Sequence, residues 1–160
     1  MTHPPENVRD YPRPPRIERV RMRARIWLGD ELICDTDDVV RVLETWHPPG
    51  IYLPLHAFRE SLLVPVGDAR MTLCEFKGAA SYYDLHMPDG GIRARAAWAF
   101  PQPATGYEQL VGRVAMYPEA ATRCELDGER VGPQPGSFYG GWITSWISGP
   151  IKGAPGTEHW

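Results

Sequence analysis

The chain has 160 residues, 42% hydrophobic and 23% charged, with 16 Gly and 17 Pro. That length suits one domain with a real core. Its Gly and Pro content excludes a helical bundle, and it holds no run of 18 apolar residues to span a membrane. The net charge of −3 is uneven: residues 1–25 hold seven Arg against three acids, while the rest of the chain carries −7. An acidic body argues against general nucleic-acid binding, which rests on neutralising phosphates.

Residues 1–16, MTHPPENVRDYPRPPR, have no apolar signal core and read as a flexible Pro/Arg arm, so the expected location is the cytoplasm. From Arg19 to Leu28 the pattern alternates strictly. Val20, Met22, Ala24, Ile26 and Leu28 lie on one side, and Arg19, Arg21, Arg23, Arg25 and Trp27 on the other. Period two predicts a strand with one buried face, its arginines pairing with the acidic body or solvating an edge. Gly29-Asp30 then turns the chain, and Leu32-Ile33-Cys34 returns as a hairpin. Asp35-Thr36-Asp37-Asp38 reads as a turn, followed by a strand over Val39–Glu44 and a stiff His47-Pro48-Pro49-Gly50 loop.

Ile51-Tyr52-Leu53 is a short strand, and residues 55–61 suggest one or two helical turns. Strands are expected over Met71–Phe76, Ser81–Leu85 and Arg113–Tyr117, with a brief helix near Tyr107–Leu110. Asp89-Gly90-Gly91 is a turn. After it, Ile92, Ala94, Ala96, Trp98 and Phe100 alternate against Arg93 and Arg95. Arg123–Leu126 with Asp127-Gly128 predicts a final hairpin. Residues 132–160 are rich in Gly, Pro and aromatics, with Trp142, Trp146 and Trp160 as packing anchors, so this tail should wrap the body. The expected organisation is an arm (1–16), a single mainly β domain (17–131) with one or two short helices, and a packed tail (132–160).

Cys34, Cys74 and Cys124 are isolated and show no C-x-x-C spacing. They read as small buried hydrophobes in a reducing compartment, with no zinc and no other metal or cofactor expected.

Two constellations could carry chemistry. Glu44, His47 and Tyr52 fall within nine positions, on a strand end stiffened by Pro48 and Pro49. Imidazole titrates near neutral pH and a carboxylate can orient it, which makes His47 and Glu44 catalytic candidates. The alternative is that His47 only hydrogen-bonds in the turn and Glu44 is solvated. The second is Lys77. The chain spells positive charge with 15 Arg and only two Lys, Lys77 and Lys152, in the similar words Phe-Lys-Gly-Ala and Ile-Lys-Gly-Ala. A partly buried lysine can anchor an anion, although an exposed lysine at a turn is the commoner role. The D-x-D at Asp35–Asp37 is a weak sign of Mg²⁺ binding, with no Gly-rich phosphate loop at suitable spacing.

The words VLETWHPPGIYLP, LCEFKGAASYYDL, AAWAFPQP and VAMYPEAA, in this order, resemble the bacterial domain of unknown function 427 family over about residues 19–131. The tail FYGGWITSWISGPIKGAPGTEHW is similar to an extension carried by one branch of it. The resemblance implies a small two-sheet fold like the β-tent, whose zinc-binding relatives use paired cysteines that this chain lacks. It also implies that Glu44, His47, Tyr52, Lys77, Tyr82 and Trp98 match family motif positions around one cleft. Trp46 stands where the commoner family word has glycine, and Glu75-Phe76 where it has a Pro-aromatic pair.

The leading expectation is a domain that binds a small anionic or aromatic ligand, the reaction, if any, left open. Tyr52, Tyr82 and Trp98 would give stacking contact, Lys77 would take an anion, and His47 would transfer protons. The alternative is an interaction module using the arginine strand or the aromatic tail. The nucleotidyltransferase label attached to the family is disfavoured, because the paired carboxylates and phosphate-cradling loop are not both present.

Overall fold

The computed structural model describes residues 3–66, 72–74, 76–136 and 139–157, with the backbone alone for 72–74. Its strands are β1 (Glu6–Asn7), β2 (Arg16–Leu28), β3 (Glu31–Leu43), β4 (Gly50–Pro54), β5 (Leu63–Pro65), β6 (Thr72–Cys74) and β7 (Gly78–His86). They continue as β8 (Ile92–Ala99), β9 (Arg113–Met116), β10 (Arg123–Leu126), β11 (Glu129–Arg130), β12 (Gly132–Pro133), β13 (Trp142–Ile143) and β14 (Ile147–Ser148). The described helical segments are 3-10 turns of three residues, such as Leu55–Ala57 and Glu108–Leu110. The protein is mainly β.

The alternation in β2 does what period two requires: Met22, Ala24, Ile26 and Leu28 are buried, and Arg19, Arg21 and Arg23 are exposed. Burying each large apolar side chain there is worth about 1.5–3 kcal/mol. β2 is not an edge. It pairs with β10 on one side and β3 on the other, in an open antiparallel sheet ordered β11-β10-β2-β3-β4-β9-β8-β7-β5, with β6 against β7. One apolar cluster joins Ile26 and Ile33 of the β2–β3 wing to Leu85, Val114 and Met116 of the β7–β9 wing. The sheet therefore folds over so that its two wings enclose the core. A second cluster around Val40, Tyr52, Phe100 and Ala115 lies beside the site described below.

The acidic run corrects the expected turn. Residues 35–38 lie inside the single strand β3, because that conformation sets their carboxylates across from the β2 arginines. Arg23 and Arg25 lie 3.3 and 3.4 Å from Asp35, Arg21 lies 3.8 Å from Asp37, and Arg19 lies 3.1 Å from Asp38. Opposite charges across neighbouring strands stabilise the pairing that a turn would forfeit.

The alternation expected over Ile92–Phe100 holds only in part. Ile92 is 60% exposed, and Ala94 is exposed as well. The β7–β8 register shifts between Tyr83 and Leu85, Arg95 takes φ 51°, and its N–H donates to Asp84 Oδ1 at 2.8 Å. A bulge puts consecutive residues on one side, and both Ala96 and Ala97 enter the larger core. Beyond it Trp98 and Phe100 face the smaller cluster.

Both ends of the described chain are tied down. β1 pairs in parallel with β14, and Val8, Tyr11, Leu43 and Ile147 form a third buried cluster. Arg41, buried on β3, donates to both Glu6 oxygens at 3.2 Å and to Glu18 at 2.7 Å. Trp142 is 1% exposed and its indole N–H donates to Met116 O at 2.9 Å. Cys34 and Cys124 are buried free thiols, and burial pushes each up to about 12. The side chain of Cys74, Met71 and Glu75 of the expected 71–76 strand, and Trp160 lie outside the described residues, while Phe76, its expected end, lies in the turn before β7. Among the described residues no helix is long and apolar enough to cross a membrane, and no group of three or more His, Cys, Asp or Glu could hold a metal ion.

Candidate functional site

Where β3 ends, the chain turns through Thr45 and Trp46 before the stiff His47-Pro48-Pro49 loop leads into β4. Trp46 sits at φ 73°, in the left-handed region where a non-glycine residue costs on the order of 1–3 kcal/mol. The conformation is held from both ends of the protein. The Trp46 N–H donates to Val8 O at 3.2 Å, and its carbonyl accepts from the Lys152 N–H at 2.7 Å. Trp46 thus occupies a backbone conformation that glycine adopts freely.

This loop forms one wall of a cavity of about 270 Å³. Glu44, His47, Tyr52, Lys77, Tyr82 and Trp98 all line it, so the structure brings all six sequence candidates to one concave surface. The floor is aromatic. Trp98 donates its indole N–H to Tyr52 Oη at 3.1 Å, the two rings meeting edge-on at 87°, and the Trp98 ring lies 4.6 Å from that of Tyr117. Burial is the main cause that pushes the Tyr117 phenol up to about 12. On Tyr82, the Arg95 guanidinium stacks 4.3 Å from the ring centre.

Charge enters from three elements. The Glu44 carboxylate lies 4.0 Å from Lys77 Nζ, 4.0 Å from His47 Nε2 and 3.9 Å from Arg13 Nε of the N-terminal arm. The Lys77 side chain is 14% exposed, unlike a solvated turn lysine, and its ammonium lies 5.7 Å from the Phe100 ring centre. Lys152 enters from the C-terminal segment, its ammonium 5.5 Å from the Tyr139 ring centre.

His47 is oriented by Gln134, a residue the sequence reading missed. Gln134 is 3% exposed and fully engaged. Its Oε1 accepts from the Gly141 N–H at 3.1 Å, and its Nε2 donates to Lys152 O at 2.9 Å and meets His47 Nδ1 at 3.0 Å. The Gly141 N–H requires the oxygen on its own side, so the amide nitrogen faces the imidazole and Nδ1 must accept. The His47 proton therefore sits on Nε2, toward Glu44. Burial first, then the positive charges of Lys152, Lys77 and Arg13, lower the imidazole to about 4. Near neutral pH His47 is thus a fixed N–H donor and a weak base.

A second wall, packed against the His47 loop, comes from Tyr139, Gly140 and Gly141. A Cβ at 140 would lie 2.2 Å from Trp98 Cη2, and one at 141 would lie 2.6 Å from both Pro48 Cγ and Pro48 O. Only glycine lets this backbone close on the indole and the loop. Gly-Gly in a loop carries no such signal in sequence. Lys152 did leave one, the rarity of lysine. The Asp35–Asp38 carboxylates sit in the β2–β3 ion pairs and are not among the residues lining the cavity. Arg113 also holds the Asp38 carboxyl well below the usual carboxylate range.

Fold and cavity together define a small β domain with an aromatic pocket bearing lysines. The chain matches the family model described as Domain of unknown function (DUF427) over residues 16–129, and it belongs to that family. No curated protein matches it. The family match ends before Gln134, Tyr139, Gly140, Gly141 and Lys152, so one wall of the cavity is built outside it.

Proposed function

We propose that this domain binds a small anionic molecule with a flat apolar body in the cavity between the His47 loop and the Tyr139–Gly141 segment. One observation carries the reading: a chain with 15 Arg and only two Lys has both lysines lining the same aromatic-walled concavity. Arginine serves the ion pairs along the sheet, surface and buried alike, while compact ammonium charges line the pocket. Lys77 and Lys152 attract the anion, Tyr52, Tyr82 and Trp98 supply apolar and stacking surface, and His47 offers its Nε2–H. A volume of about 270 Å³ suits one ring with a short acidic arm, being near the lower end of known ligand pockets. Buried free thiols at Cys34 and Cys124 support a reducing, cytoplasmic setting.

An interaction surface on β2 has less support, since its arginines lie against β3 carboxylates. Isothermal titration with phenyl phosphate tests the pocket reading. The expectation is one-to-one binding that Lys77→Met weakens by about tenfold or more, as loss of a close charge pair does. Arg21→Glu, at a 91% exposed side chain away from the cavity, should change it less than about twofold. No binding, or equal loss in both variants, contradicts the proposal.

A further inference from the structure

We infer that the cavity is built for a dianion, and that Lys152, beyond the family match, is the residue that sets this preference. The inference rests on the pocket reading above and adds the charge class of its ligand. Among the described residues, three cations, Arg13, Lys77 and Lys152, stand around the one lining carboxylate, Glu44, and its His47 neighbour, with the exposed Arg95 stacked on the Tyr82 ring as a further cation outside this set. His47 adds no charge, because Gln134 fixes its Nδ1 as an acceptor and leaves it a neutral donor. A ligand with a single negative charge leaves this set positive, and one with two charges balances it. In a partly dry cavity that difference weighs more than on an open surface.

Position supports the same division of labour. Lys77 and Arg13 flank the Glu44 carboxylate, at 4.0 and 3.9 Å. Lys152 stands with Tyr139, its backbone clamped by hydrogen bonds to Trp46 O and from Gln134 Nε2. All three cations act on the same imidazole, as the depressed basicity of His47 reports. Their field is shared across the cavity. A phosphate monoester and a paired dicarboxylate offer the same chemistry here: two negative charges on oxygen atoms next to a ring small enough for the aromatic floor.

The test compares three one-ring probes by isothermal titration: benzoate, phthalate and phenyl phosphate, at about pH 8, where a phosphate monoester carries close to two charges. Wild type should bind at least one dianion about tenfold or more tighter than benzoate, a ratio expected of one added close charge pair. Phthalate and phenyl phosphate separate the dicarboxylate from the phosphate source. Lys152→Met should bring that ratio below about threefold, and Lys152→Arg should restore it, since the charge and not the side-chain length sets the preference. Thermal melting of both variants checks that the fold is kept. Benzoate binding as tightly as both dianions overturns the inference and leaves the pocket reading standing. A dianion preference that survives Lys152→Met overturns the role of Lys152. Failure of all three probes overturns both readings.

Discussion

His47 is held neutral by its surroundings: an acceptor role forced on Nδ1 by Gln134, burial, and three cations facing the ring from the arm, the turn before β7 and the C-terminal segment. Its value falls from 6.5 to about 4 on folding. Between those limits the unfolded chain binds a proton that the folded one does not, so this contribution to stability is complete above pH 6.5 and is lost as pH falls toward 4. The full loss amounts to about 3 kcal/mol. Urea denaturation at pH 7 and pH 4.5 should therefore show wild type losing more stability than His47→Gln, by up to about 3 kcal/mol, with other acid-sensitive groups common to both. Equal losses would contradict the buried, neutral imidazole. Residue type pointed to His47, but its environment set its chemistry. Gln134 has no sequence pattern that links it to a histidine 87 positions away.

Along the β2–β3 hairpin the exposed and half-buried acids have different weights. Asp37 pairs at 3.8 Å with a highly exposed Arg21. Asp38 instead accepts from the buried Arg113 at 2.7 Å, and Arg113 also donates to the carbonyls of Asp38 and Tyr52. Asp38→Asn should destabilise by about 1–3 kcal/mol, since it removes the carboxylate facing a largely buried guanidinium. Asp37→Asn should stay within about 0.5 kcal/mol, as surface pairs do. Chemical denaturation of the two variants measures the difference, and equal costs would contradict it. The β2 alternation was legible because each residue reports its own face. Residues 35–38 misread as a turn because a run of acids has turn composition, and only the arginines across the sheet explain its extension. The bulge at Arg95 likewise depends on Asp84 of the neighbouring strand, which local periodicity does not contain.

On the scale of the whole molecule, the candidate cavity is an assembly of distant segments. The His47 loop, the β7–β8 aromatics and the C-terminal wall meet because Trp142 anchors the tail against β9 and Gly140 and Gly141 let it approach Trp98 and Pro48. Much of the inner wall was readable as motif residues in order. The outer wall was not, since it is made by close backbone approach and by a glutamine, and its one sequence trace was the second lysine of a lysine-poor chain. That pair also supplies the most direct measurement. Brief acetylation with an amine-reactive reagent, read by mass spectrometry with and without saturating phenyl phosphate, reports on both lysines in one sample. The account predicts that Lys77 and Lys152 are protected together, over the same range of phenyl phosphate concentration. Protection of neither, or of one alone at every concentration, would contradict a shared anion site.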